Sequence, residues 1–245
     1  MIICADFIRK RYQTKSFNYL FEVWRRISPW ILAGAATFLF VQPVTAHPHV
    51  WADMSSQLQI SDDGKITGVR VQWTTDKVYA QDALAGMDTN GDGIYEPDEL
   101  AKLTEENLSA LSEYDYFISF RYNGEKQKNG KAKDGNQVYN PKDGRLTLLF
   151  TVPLETPIDP RVGVVQLKVY DPEFFIDFEY VKETPLVISK RLAAGCSAKL
   201  MPIPSDNAVD QTKQMLSTKG RDWKPDNNED FGGMFAQAAV VKCTS

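Results

Sequence analysis

From His49 to Ile60, and again from Ile66 to Trp73, apolar and polar side chains alternate, "HVWADMSSQLQI" and then "ITGVRVQW", with "DDGK" between them. A period of two is what a strand with one buried face requires, and Asp-Asp-Gly-Lys supplies turn residues, so this region is predicted to be a β-hairpin. The pattern returns in "YFISFRYNG", "GRLTLLFTVPL", "GVVQLKVYD" and "FFIDFEYV", each bounded by Gly, Pro, Asn or Asp. In the last, Phe174, Ile176, Phe178 and Tyr180 share one face, and Phe175, Asp177 and Glu179 the other. With 43% of 245 residues apolar, such strands can close one substantial core. The expected fold is mainly β (α+β), an antiparallel β-sandwich-like body. Alternating β-α units are not evident, which argues against a two-lobed binding protein.

Between Asp76 and Tyr114 the period changes to helical spacing, interrupted by "DTNGDGIYEPDE". Asp88, Asn90, Asp92, Gly93 and Glu99 fill positions 1, 3, 5, 6 and 12 of the EF-hand calcium loop. A hard divalent cation needs six to eight oxygens, which one short loop supplies only by wrapping around the ion. Gly93 permits the sharp turn, Ile94 offers its carbonyl, Glu96 acts directly or through water, and Glu99 closes the site from the exiting helix. Pro97 suits the first turn of that helix, where its missing N–H is not needed. Without an ion, Asp88, Asp92, Glu96 and Glu99 would repel one another. The expectation is a Ca²⁺ site within a helix-loop-helix EF-hand-type insertion over residues 77–114. No second such loop occurs, so a structural ion at extracellular calcium levels is expected rather than a paired sensor.

Upstream, "WILAGAATFLFVQPV" follows Arg25 and Arg26 and ends in "VTA", the pattern of a secretory signal peptide over residues 1–46 cut after Ala46. The run is short for a membrane span and is broken by Gln42 and Pro43. Its long basic lead leaves open a start downstream of Met1, or an uncleaved segment that anchors the chain in the membrane. Residues 47–245 then form a single β-rich domain in the periplasm.

Cleavage there would make His47 the mature N-terminus, joining an α-amine and an imidazole on one residue. In an extended chain His49 faces the same way, as do Trp51 and Asp53. Three nitrogens with Asp53 as an oxygen ligand suit Ni²⁺, Co²⁺, Zn²⁺ or Cu²⁺ better than calcium. Pro48 has no amide proton, which rules out a square-planar scheme through ionised backbone amides. The bland alternative is a polar lead into the first strand.

Export also governs the cysteines. With Cys4 removed, Cys196 and Cys243 remain, and an even pair in an oxidising compartment is expected to form a disulfide. The stretch from 204 to 233 is polar, with a short helix predicted at 208–217, and "AQAAVVKC" supplies a last strand. The four lysines of residues 123–136 have no aromatics between them and read as a solvated loop. The first 46 residues carry six basic and two acidic side chains, so the remainder has a net charge of about −8 against −4 for the whole chain. A body that acidic has no electrostatic footprint for nucleic acid.

Taken in order, "HPHVW", "VQWTTD", "DTNGDG" with "EPDEL", "YDYF", "LTLLFTVPL", "VYDPEFF", "AGC" and the final "KC" resemble the uncharacterised bacterial proteins catalogued as domain of unknown function 1007. The resemblance runs through nearly the whole mature chain. Thr75, where similar proteins often carry an aromatic residue, and the lysine-rich loop depart from it. Members are commonly labelled periplasmic components of an ABC-type transport system and often accompany nickel/cobalt-type permeases. What this implies is a metal-binding accessory protein serving an inner-membrane metal permease or ABC-type transporter. The alternative is a calcium-stabilised interaction module without a transition-metal role. An enzyme is the class least supported, since no nucleophile motif such as G-x-S-x-G occurs.

Overall fold

A computed structural model of the chain describes residues 48–204, 206–219 and 230–244. The predicted signal segment and His47 lie outside the described residues. The hairpin of β1 (Val50–Ile60) and β2 (Ile66–Thr75) comes first, followed by helices α1 (Lys77–Ala83) and α2 (Pro97–Ser112). Strands β3 (Ile118–Tyr122), β4 (Glu125–Lys126), β5 (Lys133–Asn140), β6 (Arg145–Ile158), β7 (Val165–Val169) and β8 (Ile176–Tyr180) follow. The C-terminal part holds β9 (Leu186–Val187), β10 (Cys196–Met201), helices α3 (Asn207–Leu216) and α4 (Gly232–Phe235), and β11 (Ala238–Cys243).

These strands form two sheets. The first runs β5-β6-β2-β1-β8 with β9 also against β1, and the second runs β10-β11-β7-β3-β4. As the alternation requires, β1 buries Val50, Ala52, Met54, Leu58 and Ile60 and turns Trp51 and Gln57 outward. Its antiparallel register with β2 pairs Met54 with Trp73 and Leu58 with Val69, and Gly64 takes the left-handed conformation (φ +82°) that the turn between them needs. Met54, Val71, Trp73, Phe150 and Phe178 of the first sheet share one apolar cluster with Ile118, Phe120, Leu167, Val169 and Val241 of the second. Burying one such side chain contributes about 1.5–3 kcal/mol.

Helix α2 exposes one face and buries Leu100 and Leu103 on the other, against Ala80, Ala83 and Leu84 and against Leu146 of β6. Helix α3 begins at its Asp206 cap, whose carboxylate accepts the Val209 N–H at 2.9 Å. It ends by burying Leu216 between Phe174 and Phe235.

Three features differ from the sequence expectation. The first sheet is mixed: β8 and β9 both run parallel to β1. Because β7 lies in the other sheet, the chain crosses over before β8 and enters the first sheet in the same direction as β1. The lysine-rich stretch is not all loop, since β4 and the start of β5 lie in it, and β5 pairs with β6 as an edge strand. Its residues are mostly exposed and polar, so the buried-face signal that reveals a strand is missing there. Strand β10 was likewise hidden, because one edge pairing with β11 suffices to place its half-exposed residues.

Cys196 and Cys243 are register partners across β10 and β11 and form a disulfide. The bridge closes a loop of 47 residues that contains α3 and α4. The double variant Cys196→Ser/Cys243→Ser is expected to lose about 4 kcal/mol of stability on the chain-entropy account. Urea unfolding of both proteins measures this, and a loss below about 1 kcal/mol would contradict that account.

Candidate functional site

The loop between α1 and α2 is built from its own side chains. Asp88 Oδ1 accepts the Gly91 N–H at 2.7 Å and Oδ2 the Gly93 N–H at 3.0 Å. Asn90 Oδ1 accepts from Asp92 N (2.9 Å), and Asp92 Oδ1 from Ile94 N (2.8 Å). Gly91 and Gly93 have φ of +78° and +81° with open space around them, so conformation rather than crowding demands glycine. From the first turn of α2, Glu99 reaches back to the start of the loop. Its Oε1 accepts the Thr89 N–H and hydroxyl, both at 2.7 Å, and its Oε2 accepts the Glu96 N–H at 3.3 Å.

The arrangement polarises the two glutamates in opposite directions. The Glu99 carboxylate beside it, with some desolvation, raises Glu96 above the usual carboxylate range. The Thr89 hydroxyl and N–H hold Glu99 down at about 2. Two carboxyls in contact need a proton or a cation between them. Among the described residues no three His, Cys, Asp or Glu side chains converge to hold a metal; the loop oxygens instead accept N–H groups of the loop. The donor set of carboxylates, an amide and a backbone carbonyl is all oxygen, which fits a hard cation and not a nitrogen- or sulfur-seeking one. Helix α1 does not run straight into the loop. It stops at Ala83, the buried Leu84 anchors the chain, and Gly86 (φ +82°) turns it before Asp88.

Of the histidine set, His49 and Asp53 are described, and His47 lies outside the described residues. His49 is fixed at the entry to β1: its N–H donates to the Phe175 carbonyl at 2.9 Å, and its ring lies 4.9 Å from the Phe175 ring. Asp53, expected as an oxygen ligand, is bound to Arg145 Nη1 at 2.6 Å. The same guanidinium donates to the carbonyls of Thr74 (2.6 Å) and Thr75 (2.9 Å). A strand rises about 3.3 Å per residue, which spreads His49 and Asp53 over about 13 Å. Strand extension and the Arg145 pair together separate Asp53 from the histidine.

The family model described as "Protein of unknown function (DUF1007)" matches residues 32–243. The chain belongs to that family. It is also 29% identical over 118 residues to the "Uncharacterized 15.5 kDa protein in trpE 3'region" of Spirochaeta aurantia, an alignment covering 48% of this chain and 82% of that protein.

In this DUF1007 member the segment holding His49 in place depends on a residue that sequence reasoning passed over. Asp171 is 5% exposed, and its carboxylate accepts the N–H groups of Glu173 (3.0 Å), Phe175 (3.1 Å) and Ile176 (3.1 Å). It thereby shapes the "DPEFFI" turn whose Phe175 carbonyl receives His49. Gly232 packs so closely on this turn that a Cβ would overlap the Asp171 carbonyl. The sequence signal was the Asp-Pro-Glu start, a turn in which Asp accepts backbone N–H groups ahead of it.

Burial pushes the Asp171 carboxyl up to about 7, against the pull of its three N–H donors. Between its unfolded value near 3.8 and about 7 the folded state therefore holds a proton that the unfolded state has lost. Stability is present below the unfolded value and falls as pH rises toward 7, by up to about 1.4 kcal/mol per unit. Urea titrations from pH 4 to pH 7.5 check this. The slope should disappear in Asp171→Asn, and a rise in stability across the window attributable to Asp171 would show that its anion is the favoured form.

Proposed function

We propose that this protein is an exported accessory protein stabilised by calcium, its two sheets forming a β-sandwich and its 77–114 segment an EF-hand-type insertion. The observation that carries the reading is the folded acidic loop. Asp88, Asn90 and Asp92 already order its N–H groups, and Glu99 reaches back from α2 to its start. Asp88, Asn90, Asp92, the Ile94 carbonyl, Glu96 and Glu99 would hold the ion. Bound Ca²⁺ would take over the role of the proton between Glu96 and Glu99 and neutralise the loop charge. A periplasmic location fits a lone loop of the affinity class of extracellular modules, with dissociation constants of about 10⁻⁴ to 10⁻³ M.

A second reading adds transition-metal handling for a membrane permease or ABC-type transporter, through His47 and His49. It is favoured by the fixing of His49 at the start of β1 and by the family resemblance. The ligands would be imidazoles and, after cleavage, the terminal amine, with Asp53 remaining on Arg145. That set suits Ni²⁺, Co²⁺, Zn²⁺ or Cu²⁺.

Calorimetric titration separates the two readings. Ca²⁺ should bind once per chain and raise the melting temperature, and Asp88→Ala with Glu99→Gln should abolish both effects. The calcium reading fails if the unaltered protein shows neither. His49→Ala should leave calcium binding unchanged and weaken Ni²⁺ or Zn²⁺ at least tenfold, the order of effect of losing a ligand or its support; unchanged transition-metal affinity removes the second reading.

A further inference from the structure

The inner face of the first sheet is longer than the second sheet covers. At its β1 entry end, α1 and α2 lie over it and leave a cavity of about 50 Å³ beside Trp73, and among the described residues that line it none carries a charge. Charge collects on the far side of the core, on the outer face of the second sheet. Ile118, Phe120, Leu167, Val169 and Val241 point into the core, so by alternation Arg121 of β3, Lys168 of β7 and Lys242 of β11 point out. Register adds Lys126 of β4 opposite Arg121, and Lys199 of β10 opposite Val240. Glu125 pairs with Tyr122 and so belongs to the inward set. Among the described residues no outward strand position of this sheet carries a carboxylate, in a body whose net charge is about −8.

Two of these five cations are engaged. Lys126 pairs with Asp115 at 2.6 Å, and Lys168, beside α4, donates to the Gly233 carbonyl at 2.8 Å. Arg121, Lys199 and Lys242 are exposed and make no ion pair among the described residues; Arg121 donates to the neutral Gly124 carbonyl at 2.9 Å. Lys199, Val240, Gln166 and Arg121 form one row across four strands. At about 4.8 Å per strand, the two charges at its ends stand about 14 Å apart, too far to converge on one small anion. Between them Val240 and Gln166 offer no aromatic anchor of the kind on which protein interfaces centre. A lipid surface needs none, because each Lys or Arg near an anionic bilayer contributes without a pocket.

We propose that the outer face of the second sheet docks on an anionic phospholipid surface through Arg121, Lys199 and Lys242. Met201, 46% exposed and on the same side of β10 as Lys199, and Ile203 just beyond it, 38% exposed, supply apolar contacts at the headgroup boundary. The acidic charges on the outside of the first sheet do not oppose this. Packed sheets lie about 10 Å apart, so those charges stand beyond the Debye length of about 8 Å at physiological ionic strength. The surface is a property of the second sheet, independent of both metal readings.

Co-sedimentation of the unaltered protein with vesicles tests it. Binding to phosphatidylcholine vesicles that contain phosphatidylglycerol should exceed binding to phosphatidylcholine alone by about a hundredfold, at about fivefold for each of the three cations. The preference should vanish in about 1 M salt, where the Debye length is about 3 Å. Lys199→Glu with Lys242→Glu should abolish it at an unchanged melting temperature. Lys142→Glu with Lys182→Glu, the same change of charge at exposed positions flanking strands of the first sheet, should keep it. No preference for phosphatidylglycerol, a preference that survives the Lys199 and Lys242 changes, or an equal loss in the Lys142 and Lys182 variant would each overturn the proposal. Binding to poly-glutamate without binding to either vesicle would make the partner an acidic polypeptide and overturn it as well. The lipid and salt comparisons need no variant.

Discussion

Trp73 is the side chain on which the two sheets meet. Its ring touches Phe150 and Phe178 from its own sheet and Phe117 from the approach to the other. Phe117 reaches it only because Asp115, Tyr116 and Phe117 form a left-handed turn, with φ of 52°, 58° and 57°. Such a conformation costs about 1–2 kcal/mol for each non-glycine residue. Several contacts hold it. Lys126 pairs with the Asp115 carboxylate at 2.6 Å, Asn129 donates to the carbonyls of Asp115 and Ile118, and the Tyr170 N–H donates to the Phe117 carbonyl. Aromatic pairs add about 0.5–1.5 kcal/mol each beyond the area they bury, so the cluster and the turn stabilise one another.

A second set of contacts fixes the end of the first sheet, where β2 passes into α1. Arg145 ties the carbonyls of Thr74 and Thr75 to Asp53, and Asp76 accepts the Trp51 N–H while capping α1 at Val78 and Tyr79. An exposed ion pair contributes little by itself. Here the guanidinium and the Asp76 carboxylate satisfy backbone groups that would otherwise be unpaired where the strands end. This join sets the direction in which α1 leaves the sheet. The direction places α2 over the open part of the inner face, creating both the cavity beside Trp73 and the platform for the acidic loop. The cavity and the acidic loop therefore share one helix but differ in chemistry, the first with an uncharged, mostly apolar lining and the second all oxygen.

Strands with one buried face were readable where alternation was strict, as in β1 and β2; in the β8 segment the alternation holds only from Ile176, because Phe174 takes a left-handed turn (φ 54°) and packs with Leu216 and Phe235. The edge strands β5 and β10 were not: β5 is mostly exposed and β10 half-exposed, and hydrogen bonding to one neighbour rather than burial places them. The same distinction holds for the candidate residues. The acidic loop was legible because its spacing is local and each donor falls at a fixed offset from Asp88. The fate of Asp53 was not legible, since Arg145 lies 92 positions away and only pairing through β2 and β6 brings it near. Asp171 was passed over although it opens an Asp-Pro-Glu turn, since its burial depends on Gly232 and α4, distant in the chain.

By itself the amino-acid sequence determined the mainly β character, the helical interruption with its oxygen-rich loop, and membership of a family with a recurring set of motifs, because period, composition and local spacing are properties of neighbours along the chain. Only the tertiary structure decided that the first sheet is mixed, that Asp53 belongs to Arg145, that Cys196 and Cys243 are cross-strand partners, and that an uncharged cavity lies between the first sheet and the helices. Each of these depends on which distant segments come into contact, and that is settled by the joint packing of both sheets and the helices rather than by any single stretch.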